Sequence, residues 1–147
     1  MKTEINNKFI KKKINNILSK NGAVILVKKD NILNNANVIS NMLNNTLVAP
    51  VVKSEGYGIG ATLLTKILIE YNYKNFFTGN IDEALKLRKK FKNINIYVLN
   101  CGNPFEPFLL HKHKIIPVLN DISEVLIWAK DIKKKFPCVI HIDTGMN

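Results

Sequence analysis

Short apolar runs alternate with amphipathic stretches along this chain at intervals of about 20 to 25 residues. That rhythm is what most narrows the folds open to it. A continuous apolar run rich in β-branched residues reads as a strand covered on both faces, and apolar residues at i, i+3 and i+4 read as a helix. From Leu47 onward the predicted strands are "LVAPVV" (47–52), "NFFTG" (75–79), "INIYVL" (94–99), "KIIPVL" (114–119) and "CVIHI" (138–142). Helices are predicted over about 61–71, over "IDEALKLRKKF" (81–91), briefly within "CGNPFEPFLLH" (101–111), and from Asp121 or Ser123 through "EVLIWAKDIKKKF" (124–136). Upstream, "AVILV" (23–27) predicts one more strand, and Asp30 is placed to cap a helix over 31–43. Residues 1–22 are polar and basic, a loose arm or a short helix. Strand–helix alternation signals an α/β protein with a parallel sheet. Five strands fit an open doubly wound sheet, or the first part of an eight-stranded barrel, which needs roughly 200 residues or more.

Composition bounds the function classes. A chain of 147 residues is long enough for a real core, and 46% hydrophobic residues is ordinary for a globular protein. No apolar run approaches the roughly 20 residues that span a bilayer, and the basic N-terminus is followed by no signal-peptide core. A cytoplasmic protein without membrane contacts is expected. Two cysteines, Cys101 and Cys138, form no disulfide framework. The net charge of +11 raises a nucleic-acid hypothesis. Against it, the basic residues are scattered, arginine is nearly absent, and no aromatic residues interleave with the basic runs.

The stretch "VVKSEGYGIG" (51–60) carries the chemistry. Lys53 ends an apolar run, and Tyr57 is boxed by Gly56, Gly58 and Gly60. Gly56-x-Gly58-x-x-Ala61 meets a relaxed dinucleotide fingerprint, but no acidic residue ends the next strand. A P-loop would place its lysine after the glycines, not before them. A lysine at the C-terminal end of a strand can instead form a Schiff base with pyridoxal phosphate. The glycines would then let backbone approach a ligand, and the Tyr57 hydroxyl could donate to a phosphate. Spacing alone does not decide between that lysine and an exposed one in an ordinary βα loop. Cys101, His111, His113, Cys138 and His141 match no familiar zinc spacing, so no metal is expected. Trp128 and the phenylalanines read as core.

"VVKSEGYGIGA" resembles the cofactor-lysine motif of the alanine racemases, a strand followed by Lys-Ala-Asn/Asp-Ala-Tyr-Gly-His-Gly. Lys53, Tyr57, Gly58 and Gly60 match it, whereas Ser54, Glu55, Gly56 and Ile59 depart. "FFTGNIDEALKLR", "IYVLN" and "PVLND" are similar to further segments in the family's order. "HIDTGMN", about 90 residues after Lys53, resembles the Asp-Thr-Gly-Met segment that leads into Arg-x-Gly. The resemblance covers about residues 24–147.

It implies the N-terminal portion of a (β/α)8 barrel over 23–147, about five strands, with the C-terminal β domain absent and the barrel incomplete at residue 147. It also implies pyridoxal 5′-phosphate held as a Schiff base on Lys53, with Tyr57 on its phosphate, and interconversion of L- and D-alanine for peptidoglycan by a head-to-tail homodimer. Lys53 would be the base on one face of Cα, and a tyrosine from the partner subunit's C-terminal domain would serve the other. A fragment inactive by itself is therefore expected. A non-catalytic cofactor-binding barrel is the alternative. His141 stands where many members have a lysine, often carbamylated, and Asp143 is given no proton-transfer role.

Overall fold

The computed structural model describes residues 7–43, 46–102, 105–131 and 136–145. Its elements run α1 (Lys8–Asn21), α2 (Lys29–Met42), α3 (Lys53–Tyr57), α4 (Ala61–Ile69), β1 (Asn75–Thr78), α5 (Ile81–Lys90), β2 (Asn95–Val98), α6 (Pro107–Lys112), β3 (Ile115–Leu119), α7 (Ile122–Asp131) and β4 (Val139–Ile140). The strands pair in parallel in the order β1-β2-β3-β4. That order separates the two architectures left open by the strand count. A doubly wound sheet reverses its strand order at a switch point, whereas a barrel wall advances one strand at a time. This sheet advances.

Register assigns the two faces. Phe76 pairs with Ile96 and Phe77 with Tyr97, and Ile96 and Tyr97 pair in turn with Ile115 and Ile116. Alternate residues of a strand share a face. Phe76, Ile96, Val98, Ile115 and Leu119 therefore form one side of the core, closed by Leu87 of α5, Leu110 of α6 and Trp128 of α7. The other face carries Phe77 and Tyr97, half-buried, with their rings stacked at 4.6 Å and 16°. On β1 and β2 only one face is fully buried, so burial alternates along these strands. β3 is buried along its whole length.

Two expected strands are corrected. Residues 47–52 contribute only the isolated parallel bridge Val51↔Phe77. Pro50 has no N–H for a longer ladder, and the chain turns away directly after Val52. "AVILV" is not a strand: Ile25 and Leu26 are exposed, and among the described residues no strand lies alongside. A run of β-formers becomes a strand only when its backbone groups find a partner. At the far end, 138–142 shortens to Val139–Ile140, with His141 N–H continuing the ladder to Leu119 O at 2.9 Å.

Helix starts follow side-chain chemistry. α2 begins before Asp30, so Asp30 sits in the first turn, where its charge suits the helix dipole, and does not cap. α5 and α7 repeat one device. The N-cap Asn80 accepts from Glu83 N–H at 3.0 Å, and Asp121 accepts from Glu124 N–H at 3.0 Å. Each glutamate returns to the N–H one residue before its cap, Gly79 at 2.8 Å and Asn120 at 2.6 Å. This is a capping box reaching one residue further than usual.

The chain's only arginine closes the N-terminal ends of β2 and β3. Arg88 donates to the carbonyls of His113, Phe91, Lys92, Ile94 and Lys114 at 2.8–3.2 Å. A planar fork of five donors can serve that many acceptors, and an ammonium with three cannot. Arg88→Lys keeps the charge and is expected to lower stability by about 2 kcal/mol, the scale of one or two charge-assisted hydrogen bonds. Urea unfolding reads this as a drop in midpoint at unchanged slope. An unmoved midpoint would show that water replaces the lost bonds.

Candidate functional site

Parallel pairing puts every C-terminal strand end at one rim, where α/β proteins build their sites. Lys53, Gly79, Asn100, Asn120 and His141 all lie there. Backbone bonds lace it together: Asn100 N–H donates to Gly79 O at 3.0 Å, and His141 N–H to Leu119 O. Lys53 arrives through the short bridge to β1, in which Val52 N–H donates to Phe77 O at 2.8 Å and Phe77 N–H to Pro50 O at 2.9 Å. Val51 opposite Phe77 places Lys53 opposite Gly79, two residues on. The fit is close, since a Cβ on Gly79 would lie 3.2 Å from Lys53 Cβ and 3.2 Å from Glu83 Oε2. A side chain at position 79 would fit only if Lys53 and Glu83 gave way by a few tenths of an ångström.

After Lys53 the backbone winds left-handed. Ser54 (φ 51, ψ 49), Glu55 (φ 53, ψ 45) and Gly56 (φ 59, ψ 39) are followed by Tyr57 at φ 55. Three of these four are not glycine, and each costs about 1–2 kcal/mol in this region. Gly56 is required twice over, by its φ and because a Cβ there would press on Ala61 N at 3.3 Å. The turn is pinned by Gly56 N–H to Val52 O at 3.0 Å, Gly60 N–H to Glu55 O at 2.7 Å, and Ser54 N–H to Glu83 Oε1 at 2.8 Å. Backbone strain of this kind clusters at functional sites.

The donor set suits a pyridoxal phosphate. Lys53 is half-buried, and among the described residues its amine has no ion-pair partner. The two neighbouring carboxylates are engaged by backbone N–H groups: Glu83 by Gly79 and Ser54, Glu55 by Ala61 at 3.4 Å. The amine is thus left available for a carbonyl. Tyr57 is 64% exposed beside it, and a Cβ on Gly58 would meet nothing within 4 Å, so the turn leaves space for a ligand.

The other residues singled out from the sequence are separated by the fold. Cys101 is buried and its Sγ faces Val118 O. Burial pushes its thiol up to about 12. Cys138 is exposed. His111 meets the Phe136 ring edge-on at 5.2 Å, while His141 Nδ1 lies 3.0 Å from Asn120 Oδ1 on the rim. Asn120 Nδ2 donates to the carbonyls of Leu99 and Val118, so its oxygen is the acceptor and His141 carries the proton on Nδ1. Among the described residues no three His, Cys, Asp or Glu could hold a metal ion. Asp143 accepts from Gly145 N–H at 2.9 Å, and Met146 lies outside the described residues. A cavity of about 470 Å³ lined by Asn37, Tyr73, Asn75 and Asn95 opens at the other end of the strands, away from Lys53.

Sequence reasoning missed Gly79 and Glu83. A signal for Glu83 was present, an Asn three residues before a Glu at a helix start. Nothing local indicated that its second oxygen reaches Ser54.

The family model "Alanine racemase, N-terminal domain" matches residues 27–147. Over 120 residues the chain is 38% identical to an alanine racemase of Rickettsia typhi, covering 79% of this chain and 30% of that protein. The crystal structure of alanine racemase from Bartonella henselae with covalently bound pyridoxal phosphate superposes with a TM-score of 0.75 at 30% identity, covering 82% of this chain and 34% of that one. That of alanine racemase from E. faecalis, 22% identical with a TM-score of 0.70, shares the fold. The chain spans about a third of the length of these relatives. The sheet and its helices are the N-terminal half of a (β/α)8 barrel. No helix among the described residues is long and apolar enough to cross a membrane.

Gly79→Val would drive two methyl groups between Lys53 and Glu83. The expected loss is about 1–3 kcal/mol, typical of overpacking, read by urea unfolding, and an unchanged midpoint would show slack at this contact. At pH 8 a thiol reagent should modify Cys138 quickly and Cys101 only in denaturant, because a thiol titrating near 12 presents almost no thiolate there. Equal rates in the native protein would contradict the burial of Cys101.

Proposed function

The chain belongs to the alanine racemase family, and from that membership we propose that Lys53 is the covalent anchor of pyridoxal 5′-phosphate in an enzyme that interconverts L- and D-alanine. The observation that carries the proposal is the placement of a half-buried lysine, with no ion-pair partner among the described residues, at the barrel rim on a strained turn whose neighbouring carboxylates accept from backbone N–H groups. Tyr57 is the matching hydrogen-bond donor for the cofactor phosphate.

When bound, the cofactor supplies an electron sink for the charge left on Cα as its proton departs. Once the substrate amine had displaced it from the cofactor, the freed Lys53 amine would take or return that proton on one face. A base in reach of its target is typically worth 10²–10⁴-fold. Racemisation also needs a proton carrier on the opposite face. Tyr57 is assigned to the cofactor phosphate, so that role goes to another residue. The family resemblance assigns it to a tyrosine of the partner subunit in a homodimer. The product would serve as D-alanine for peptidoglycan, made in the cytoplasm.

The test is chemical. Borohydride added to the protein with pyridoxal phosphate should fix the cofactor to Lys53, located by peptide mass, and Lys53→Ala should abolish that label. Label spread evenly over the surface lysines would sink the proposal.

A further inference from the structure

Glu83 does more than cap α5. Its Oε2 accepts from Gly79 N–H at 2.8 Å, within its own βα loop, and its Oε1 accepts from Ser54 N–H at 2.8 Å, on the segment after Lys53. One carboxylate thus joins two neighbouring strand ends at the point where Lys53 Cβ rests over Gly79. Ser54 is a non-glycine residue at φ 51, so its N–H is aimed by a conformation that needs outside support. We propose that Glu83 is the positioning residue for Lys53, holding the left-handed turn so that the lysine meets the cofactor in one fixed geometry. This rests on the cofactor role of Lys53 proposed above.

The fold supplies its own control. Glu124 sits at the same place in α7 and makes the same back-bond, to Asn120 N–H at 2.6 Å, from an N-cap of the same kind. It is two strands further along the sheet from β1 and far in sequence from the Lys53 turn. Removing either glutamate should weaken a helix start to a similar degree. Only Glu83 should alter Lys53.

The experiment compares Glu83→Ala, Glu83→Gln and Glu124→Ala with the unmodified full chain. The first readout needs no cofactor and is amide hydrogen exchange at Ser54, followed by NMR. It should accelerate about tenfold or more in Glu83→Ala, the scale of one lost charge-assisted bond. Glu83→Gln should fall between, because its amide oxygen can accept only one of the two N–H groups. The second readout is the pyridoxal phosphate concentration giving half-maximal borohydride labelling of Lys53. It should rise by a similar factor in Glu83→Ala and stay within about twofold in Glu124→Ala. Where the alanine variant does not fold, the glutamine variant decides by the same comparison. If the unmodified chain labels Lys53 and the Glu83 and Glu124 variants behave alike, positioning by Glu83 is overturned while the cofactor role stands. If the unmodified chain does not label Lys53, both fall, and faster Ser54 exchange in Glu83→Ala would leave Glu83 as a contact of the fold alone.

Discussion

Two backbone hydrogen bonds hold the lysine strand to the sheet, Val52 N–H to Phe77 O and Phe77 N–H to Pro50 O, and the arrangement of the rim depends on their register. Side chains alternate along an extended chain, so that register sends Val52 inward, fully buried with Leu68, Phe76, Ala84 and Leu87, and leaves Lys53 at the mouth. Burying a valine side chain stabilises by roughly 1.5–3 kcal/mol. A slip of one residue would put the lysine in the core and the valine at the rim. The hydrophobic effect at position 52 therefore aims the lysine at position 53, although only one bridge joins the two strands.

Directly after that register point, the chain does something unfavourable. A run of five residues with positive φ, 54–58, three of them carrying side chains, persists only where its surroundings over-determine it. They do so here. Gly56 packs against Ala61, Glu55 turns back over the start of α4, and Glu83 takes the Ser54 N–H. The same contacts engage the carboxylates of Glu55 and Glu83, and among the described residues neither forms an ion pair with Lys53.

Much of this was legible beforehand, for identifiable reasons. "NFFTG", "INIYVL" and "KIIPVL" became β1, β2 and β3 because each has an adjacent strand to complete its ladder. "AVILV" is as apolar and failed, for want of an adjacent strand among the described residues. "LVAPVV" was reduced to a bridge by Pro50 and the turn that follows it. Of the two starts expected for α7, Asp121 and Ser123, it is Asp121 whose side chain accepts from the first-turn N–H groups, a local matter. Asp30 was expected at the cap but lies two residues past it, because the cap is Lys28, which has no side-chain bond to mark the start.

By itself, the sequence determined the α/β class, the parallel connection of its strands, the family, and the lysine that closes an apolar run. These are properties of local patterns and of motif order, which a linear chain displays directly. Tertiary structure alone decided that the strands advance in one direction, that residues 54–57 wind left-handed against their own preferences, and that Glu83 reaches Ser54 across 29 positions. The physical reason is the same in each case. A backbone N–H is satisfied by whichever acceptor the packed chain brings within 3 Å, and that partner is set by the register of neighbouring strands, which no local propensity encodes.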